Sequence, residues 1–193
     1  MHSLYHFLHN QTRETSLDLS DLLRNEFVMA VSSLDQFVHE LIRQGMLDIY
    51  DGTKTIQTKQ YLSFPLCLRA LSFNAKNKAI NAENKPILER DAFDAEVVNY
   101  LSLRTYQRPD DISQGLHLIS PKNAWGAVGK SMKTPASSVK LRLNLIVDQR
   151  NAIVHQAHID PITHLRIPIM EQDSQEATTF IANVIEALFQ HFA

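Results

Sequence analysis

Residues 138–156, SVKLRLNLIVDQRNAIVHQ, hold the longest uninterrupted helical pattern in the chain. At about 100° per residue, Val139, Leu143, Ile146, Val147, Ile153 and Val154 fall into one apolar stripe, and Arg150 sits at its centre. Asn144, Asp148, Asn151 and His155 recur at i, i+4, i+7 and i+11. They form a second, polar ridge roughly 120° round the helix. A guanidinium in a core-facing row is costly unless paired, because it cannot lose its proton. The same group beside an Asn and a His can grip a phosphate and move protons. Spacing alone is weak evidence, since a chain with nine His and a similar number of Arg produces Arg-x4-His pairs by chance.

Working outward, the rest of the chain also reads as helix. A first long helix is expected from about Leu17 or Ser20 to Gln44, stopping at Gly45. Phe27, Val31, Leu34, Val38 and Leu41 keep its period, and Leu23, Val28, Ala30 and Ile42 widen the apolar surface to that of a central bundle helix. Asp35 is flanked at helical spacings by Val28, Val31, Val38 and Ile42, so its carboxylate is expected to point inward, within reach of His39 one turn on. Residues 45–63 are polar and turn-rich around Asp51-Gly52. One or two short helices are expected over residues 64–80, and a further helix from near Pro86 with Ile87, Leu88, Phe93, Val97, Val98 and Leu101. Pro109 opens a short helix through Leu116, and residues 121–132, with Trp125, form another. After Asp160-Pro161 comes a loop, a short extended piece over 165–170, and a last amphipathic helix over 172–192. The fold class is all-α, a bundle of long helices with short ones inserted, in a single domain over residues 17–193 behind an arm over 1–16.

Composition agrees. At 193 residues and 44% hydrophobic content the chain can bury a substantial core, and Gly 5 with Pro 7 leaves too little turn punctuation for a many-stranded sandwich. The single cysteine, Cys67, cannot form an internal disulfide and lies in an apolar run that suggests packing. A reducing, cytoplasmic setting is expected. No apolar run approaches a membrane span and the start does not read as a signal peptide, so no membrane partner is expected. His2, His6 and His9 have helical spacing that could chelate a metal, but no carboxylate accompanies them, and an incidental cluster is the preferred reading. Net charge is −2, yet residues 112–147 contain no acid while Lys122, Lys130, Lys133, Lys140 and Arg142 add positive charge ahead of Arg150. That flank is either a solvated surface or a track for a polyanion.

Two segments together carry a resemblance. Leu22-Leu23-Arg24-Asn25-Glu26 with Ser33-Leu34-Asp35-Gln36-Phe37-Val38-His39-Glu40-Leu41 resembles the opening helix of the RiboL-PSP branch of the HEPN superfamily (higher eukaryotes and prokaryotes nucleotide-binding). Residues 146–155, followed by Asp160-Pro161, are similar to that superfamily's Arg-x4–6-His signature, including the polar Asn151 directly after the Arg. Tyr106-Gln107-Arg108-Pro109-Asp110-Asp111-Ile112 reads like the same branch.

The resemblance implies a HEPN-like all-α domain acting as a metal-independent endoribonuclease. It also implies a homodimer whose signature helices face one another across a cleft. Arg150, Asn151 and His155 would be the catalytic set, supported by Asp35 and Asp148, with RNA guided by Lys140, Arg142 and Asn144; no cofactor is implied. The product expected is a 2′,3′-cyclic phosphate, and the setting a bacterial defence or toxin–antitoxin role with an antitoxin or other protein inhibitor as partner. Members controlled by nucleotidyl transfer carry a Tyr two residues after the His; Gln156-Ala157 stand here instead, so that control is not expected. Two other readings stay open: a catalytically silent HEPN module binding nucleotide, RNA or protein, and a purely structural helical dimer. For Arg150 the competing role is a buried ion pair with Asp35. Trp125 and Tyr106 are expected in the core rather than stacked on bases, and His158 and His164 in a loop.

Overall fold

The computed structural model describes residues 2–11, 19–55, 58–64 and 87–193, and eight helices lie among them. These are α1 (His2–Gln11), α2 (Ser20–Tyr50), α3 (Lys59–Leu62), α4 (Ile87–Ser102), α5 (Pro109–Leu116), α6 (Ala124–Ser131), α7 (Ala136–Gln156) and α8 (Glu171–Phe192). The described residues include no strand; one antiparallel bridge joins Ile159 and Arg166. The all-α expectation holds. The short helices expected over 64–80, and Cys67 with them, lie outside the described residues, as do the side chains of the His2, His6 and His9 cluster. Residues 2–11, expected as a loose arm with a helical turn, form a ten-residue helix that packs on α2.

α2 is the axis of the bundle. It packs most extensively on α8 and also on α4 and α7, and its Leu23, Phe27, Val31, Leu34, Val38 and Ile42 are fully or almost fully buried. It does not stop at Gly45. The helix continues to Tyr50 and ends at Asp51-Gly52, where Gly52 takes φ 76. Gly45 serves a close approach instead: a Cβ there would meet Ile119 Cγ2 at 2.8 Å. A glycine in a helical pattern marks tight packing as readily as a stop.

The first of the inserted helices starts where expected, and the second starts at Ala124, three residues after the expected Pro121. Pro109 occupies the first turn of α5, where a missing N–H costs nothing. Asn123 caps α6, its Oδ1 accepting from the Gly126 amide at 3.0 Å. Trp125 is buried and its indole N–H donates to the Pro109 carbonyl at 2.8 Å, tying α6 to α5. α7 then lies against α6 and α2, with Val139, Leu143, Ile146 and Val147 in the core. Val154 departs from the expected stripe: it is exposed, because the last turn of α7 runs past the edge of the core.

Candidate functional site

The polar ridge and the outward face of α7 are adjacent. Asp148 and His155 are exposed and Asn144 and Asn151 half-buried, while Leu141 and Leu145 are 62% and 60% exposed. At about 100° per residue, Leu141, Leu145, Asp148, Ala152 and His155 share one face. Arg150 lies on the opposite side, half-buried, as its place in the apolar stripe requires.

Arg150 is the unusual group. Its Nη1 donates to Asn151 Oδ1 at 3.1 Å. Its Nε is buried with no hydrogen-bond partner, and no carboxylate lies within ion-pair distance among the described residues. The ion pair with Asp35 is not formed. Asp35 does turn inward, but it accepts from the Tyr106 amide at 2.5 Å and from Gln107 Nε2 at 3.0 Å, with His39 Nδ1 3.4 Å from its Oδ1. The linker after α4 therefore takes the carboxylate that the signature helix was expected to use. His39 Nε2 also contacts the Leu101 carbonyl at 3.1 Å, and its ring packs edge-on against Tyr106. Asp35 thus shapes the site by fixing the linker, not by touching Arg150.

That linker reaches α7 through Arg108. Its Nη2 donates to Asp148 Oδ1 at 2.6 Å and its Nη1 to Asn144 Oδ1 at 3.4 Å. Nothing in the local pattern of Arg108 marks a role; its place between an acid and an amide four residues apart on one ridge arises only in the tertiary fold. Lys140 pairs with Asp110 at 2.8 Å, and Arg142 with Glu176 at 3.5 Å while lying over the Phe180 ring. The two basic residues among the three expected RNA contacts are thus partly neutralised at the surface, where such pairs contribute little and exchange readily. Lys130 and Lys133 are exposed.

α7 ends without a glycine. Ala157 and His158 take φ 50 and 56, and the His158 amide donates to the Ala152 carbonyl at 3.0 Å. His158 lies in a loop, as expected, yet it is buried against Arg24 of α2, a partnership the sequence did not reveal. The loop folds back through the Ile159–Arg166 bridge. Asp160 Oδ1 accepts from the Ile162 and Thr163 amides at 2.9 and 2.7 Å, and these bonds hold its carboxyl below the ordinary range.

Among the described residues no three His, Cys, Asp or Glu side chains gather as they would around a metal ion, and no helix is long and apolar enough to cross a membrane. The sequence profile of a family described as RiboL-PSP-HEPN matches residues 3–193. The chain belongs to that family. It is a HEPN-type domain, a class with ribonuclease and nucleotide-binding roles. No curated protein and no solved structure matches the chain.

Proposed function

We propose that this HEPN domain is a metal-independent endoribonuclease whose catalytic set is Arg150, Asn151 and His155. The carrying observation is the Arg150 guanidinium: half-buried, with no acid partner among the described residues and a buried Nε without a hydrogen-bond partner there. A cation kept in that condition is ready for an anion, and a phosphate offers the oxygens it lacks. RNA brings its own nucleophile. His155 takes the proton of a 2′-OH, the oxygen attacks the adjacent phosphorus as the P–O5′ bond breaks, and the imidazolium so formed returns that proton to the leaving 5′-oxygen, giving a 2′,3′-cyclic phosphate and a 5′-hydroxyl end. Arg150 neutralises charge on the non-bridging oxygens, and Asn151 holds the guanidinium or the phosphate. Arg108, clamped to Asp148 and Asn144, borders the same ridge.

On an ideal helix Arg150 and His155 diverge by about 140°, so one copy presents them poorly to one phosphate. A two-fold dimer through the exposed face of α7, where Leu141 and Leu145 flank His155, would bring the two His155 into one cleft; Arg150 reaches the edge of that cleft through Asn151, which lies between it and His155 round the helix and accepts from its Nη1. In this reading Lys140, Arg142 and Asn144 guide the RNA strand, and the biological setting is defence or toxin–antitoxin control with a protein inhibitor. The silent binding module is the second reading. It is favoured by the same divergence if no dimer forms, since a lone chain then holds only half a site.

The test is cleavage of structured and unstructured RNA, with EDTA present, by wild type and His155→Ala. Cyclic-phosphate ends from the wild type alone, with equal melting temperatures, support the nuclease. Full activity in a well-folded His155→Ala protein refutes it.

A further inference from the structure

Beside α5 a cavity of about 140 Å³ is lined by Tyr100, Arg104, Thr105, Tyr106, Asp111, Gln114, Gly115 and Leu118. Tyr106 is only 3% exposed, yet its hydroxyl has no hydrogen-bond partner. A buried hydroxyl with nothing to bond costs free energy, and native structures rarely keep one without a reason. Its electrostatic neighbours are Arg104, Tyr100 and Asp111, all on the cavity wall, together with Asp35 beneath; burial pushes the phenol up to about 12, so it is a neutral donor at ordinary pH. Gly115 lets the ring lie so deep, since a Cβ there would come 2.5 Å from Tyr106 Cε1.

The remaining wall is equally suggestive. The Arg104 guanidinium is centred 3.5 Å from the middle of the Tyr100 ring and, among the described residues, donates only to the Tyr100 carbonyl, which leaves its second planar face for a base. Asp111 has no hydrogen bond or ion pair among the described residues. A flat guanidinium for stacking, a carboxylate to accept from paired N–H groups and a phenol to donate to a ring acceptor together form the recognition set of a nucleobase. The carboxylate narrows it further. Guanine presents two neighbouring N–H donors on one edge and acceptors elsewhere, whereas adenine presents a single amino group.

We propose that this cavity is a nucleobase subsite that takes guanine, with Arg104 stacking on the base, Asp111 accepting from its N1–H and 2-amino group, and Tyr106 donating to an acceptor on its ring. The inference rests on the ribonuclease reading for the origin of the base, a guanosine in the bound RNA. It adds a preference that the catalytic ridge does not supply.

Calorimetric titration of the full chain with guanosine 5′-monophosphate and adenosine 5′-monophosphate tests it without any cleavage step. Guanosine monophosphate should bind at least about tenfold more tightly. Tyr106→Phe keeps the ring and removes the idle hydroxyl, so the free protein should melt at the same temperature or higher while the guanosine monophosphate dissociation constant rises about 3–10-fold. Asp111→Asn should erase the preference over adenosine monophosphate. No binding at millimolar guanosine monophosphate, equal affinity for the two nucleotides, or an unchanged constant in Tyr106→Phe would overturn the subsite. If wild type cleaves RNA but ignores guanosine monophosphate, the subsite alone falls; if it binds the nucleotide but cleaves nothing, the ribonuclease reading alone falls.

Discussion

Arg24 and His158, 134 residues apart, meet inside the domain: Arg24 Nε donates to His158 Nδ1 at 3.4 Å, and its Nη2 donates to the Ile167 carbonyl at 2.8 Å. Arg24 is 5% exposed and His158 3%. The guanidinium also reaches Ser20 and Asp21, and Asp21 in turn takes Arg166 from the far side of the loop. One buried fork therefore fastens the start of α2 to both arms of the turn that follows α7. Two successive left-handed residues without glycine, Ala157 and His158, cost about 1–2 kcal/mol each, and this anchor is what offsets them.

His158 can accept from Arg24 only while its Nδ1 is unprotonated. Burial first, then the Arg24 and Arg166 charges, lower its proton affinity below the ordinary 6.5. The unfolded chain therefore binds the proton more readily than the folded one. Above pH 6.5 both states are neutral there and nothing is lost; as pH falls below 6.5 the unfolded state is favoured and stability declines. Melting temperature against pH should fall less steeply on the acid side in His158→Asn, which tolerates the left-handed backbone, keeps an acceptor and cannot titrate. Parallel curves would refute the linkage.

Arg24→Lys keeps the charge and loses the fork. A lysine cannot serve His158, Ile167 and Ser20 together, so the variant should lose about 1.5–3 kcal/mol in urea unfolding and be cut faster by protease within residues 157–170. An unchanged protease pattern would mean that the loop holds itself.

How much of this was legible beforehand depends on the range of the interaction. Leu23, Phe27, Val31, Leu34 and Val38 on α2, and Val139 to Val147 on α7, announce their buried faces through local periodicity, and Pro109 marks a helix start by backbone chemistry alone. Gly45 misled because a glycine that permits close packing and one that ends a helix look alike in one dimension. Asp35 was correctly read as inward-facing, but its partner was not: the Tyr106 amide and Gln107 lie about 70 residues away and compete for a carboxylate that Arg150 could equally have used. His158 was hidden for the same reason, since only the tertiary fold brings Arg24 to it.

Asp35 and Arg150 should behave independently. A double-mutant cycle of Asp35→Ala with Arg150→Ala should be additive within about 0.5 kcal/mol, whereas Asp35→Ala with Gln107→Ala should show coupling of about 0.5–1.5 kcal/mol. Strong coupling in the first cycle would restore the direct pair.

Leu141 and Leu145 should decide assembly. Sedimentation of the wild type at micromolar concentration is expected to give a dimer. Leu145→Glu, which places like charges near a two-fold axis, should give a folded monomer that no longer cleaves RNA. A wild-type monomer, or an active monomeric variant, would remove the shared-cleft geometry from the mechanism.

Arg150→Met separates architecture from chemistry. Methionine keeps an unbranched, flexible chain along the apolar stripe while removing the buried, unpartnered Nε and the charge. If Arg150 is held for an anion and not for the fold, the variant should be at least as stable as wild type in urea while RNA cleavage falls by a factor of about 100 or more. Arg150→Ala should instead be destabilised through lost packing, by about 1–2 kcal/mol, with the same loss of activity. The pair of variants reads the two roles apart. A methionine variant that unfolds easily would mean that the guanidinium is a structural element of α7, and full cleavage by a stable methionine variant would remove Arg150 from the catalytic set.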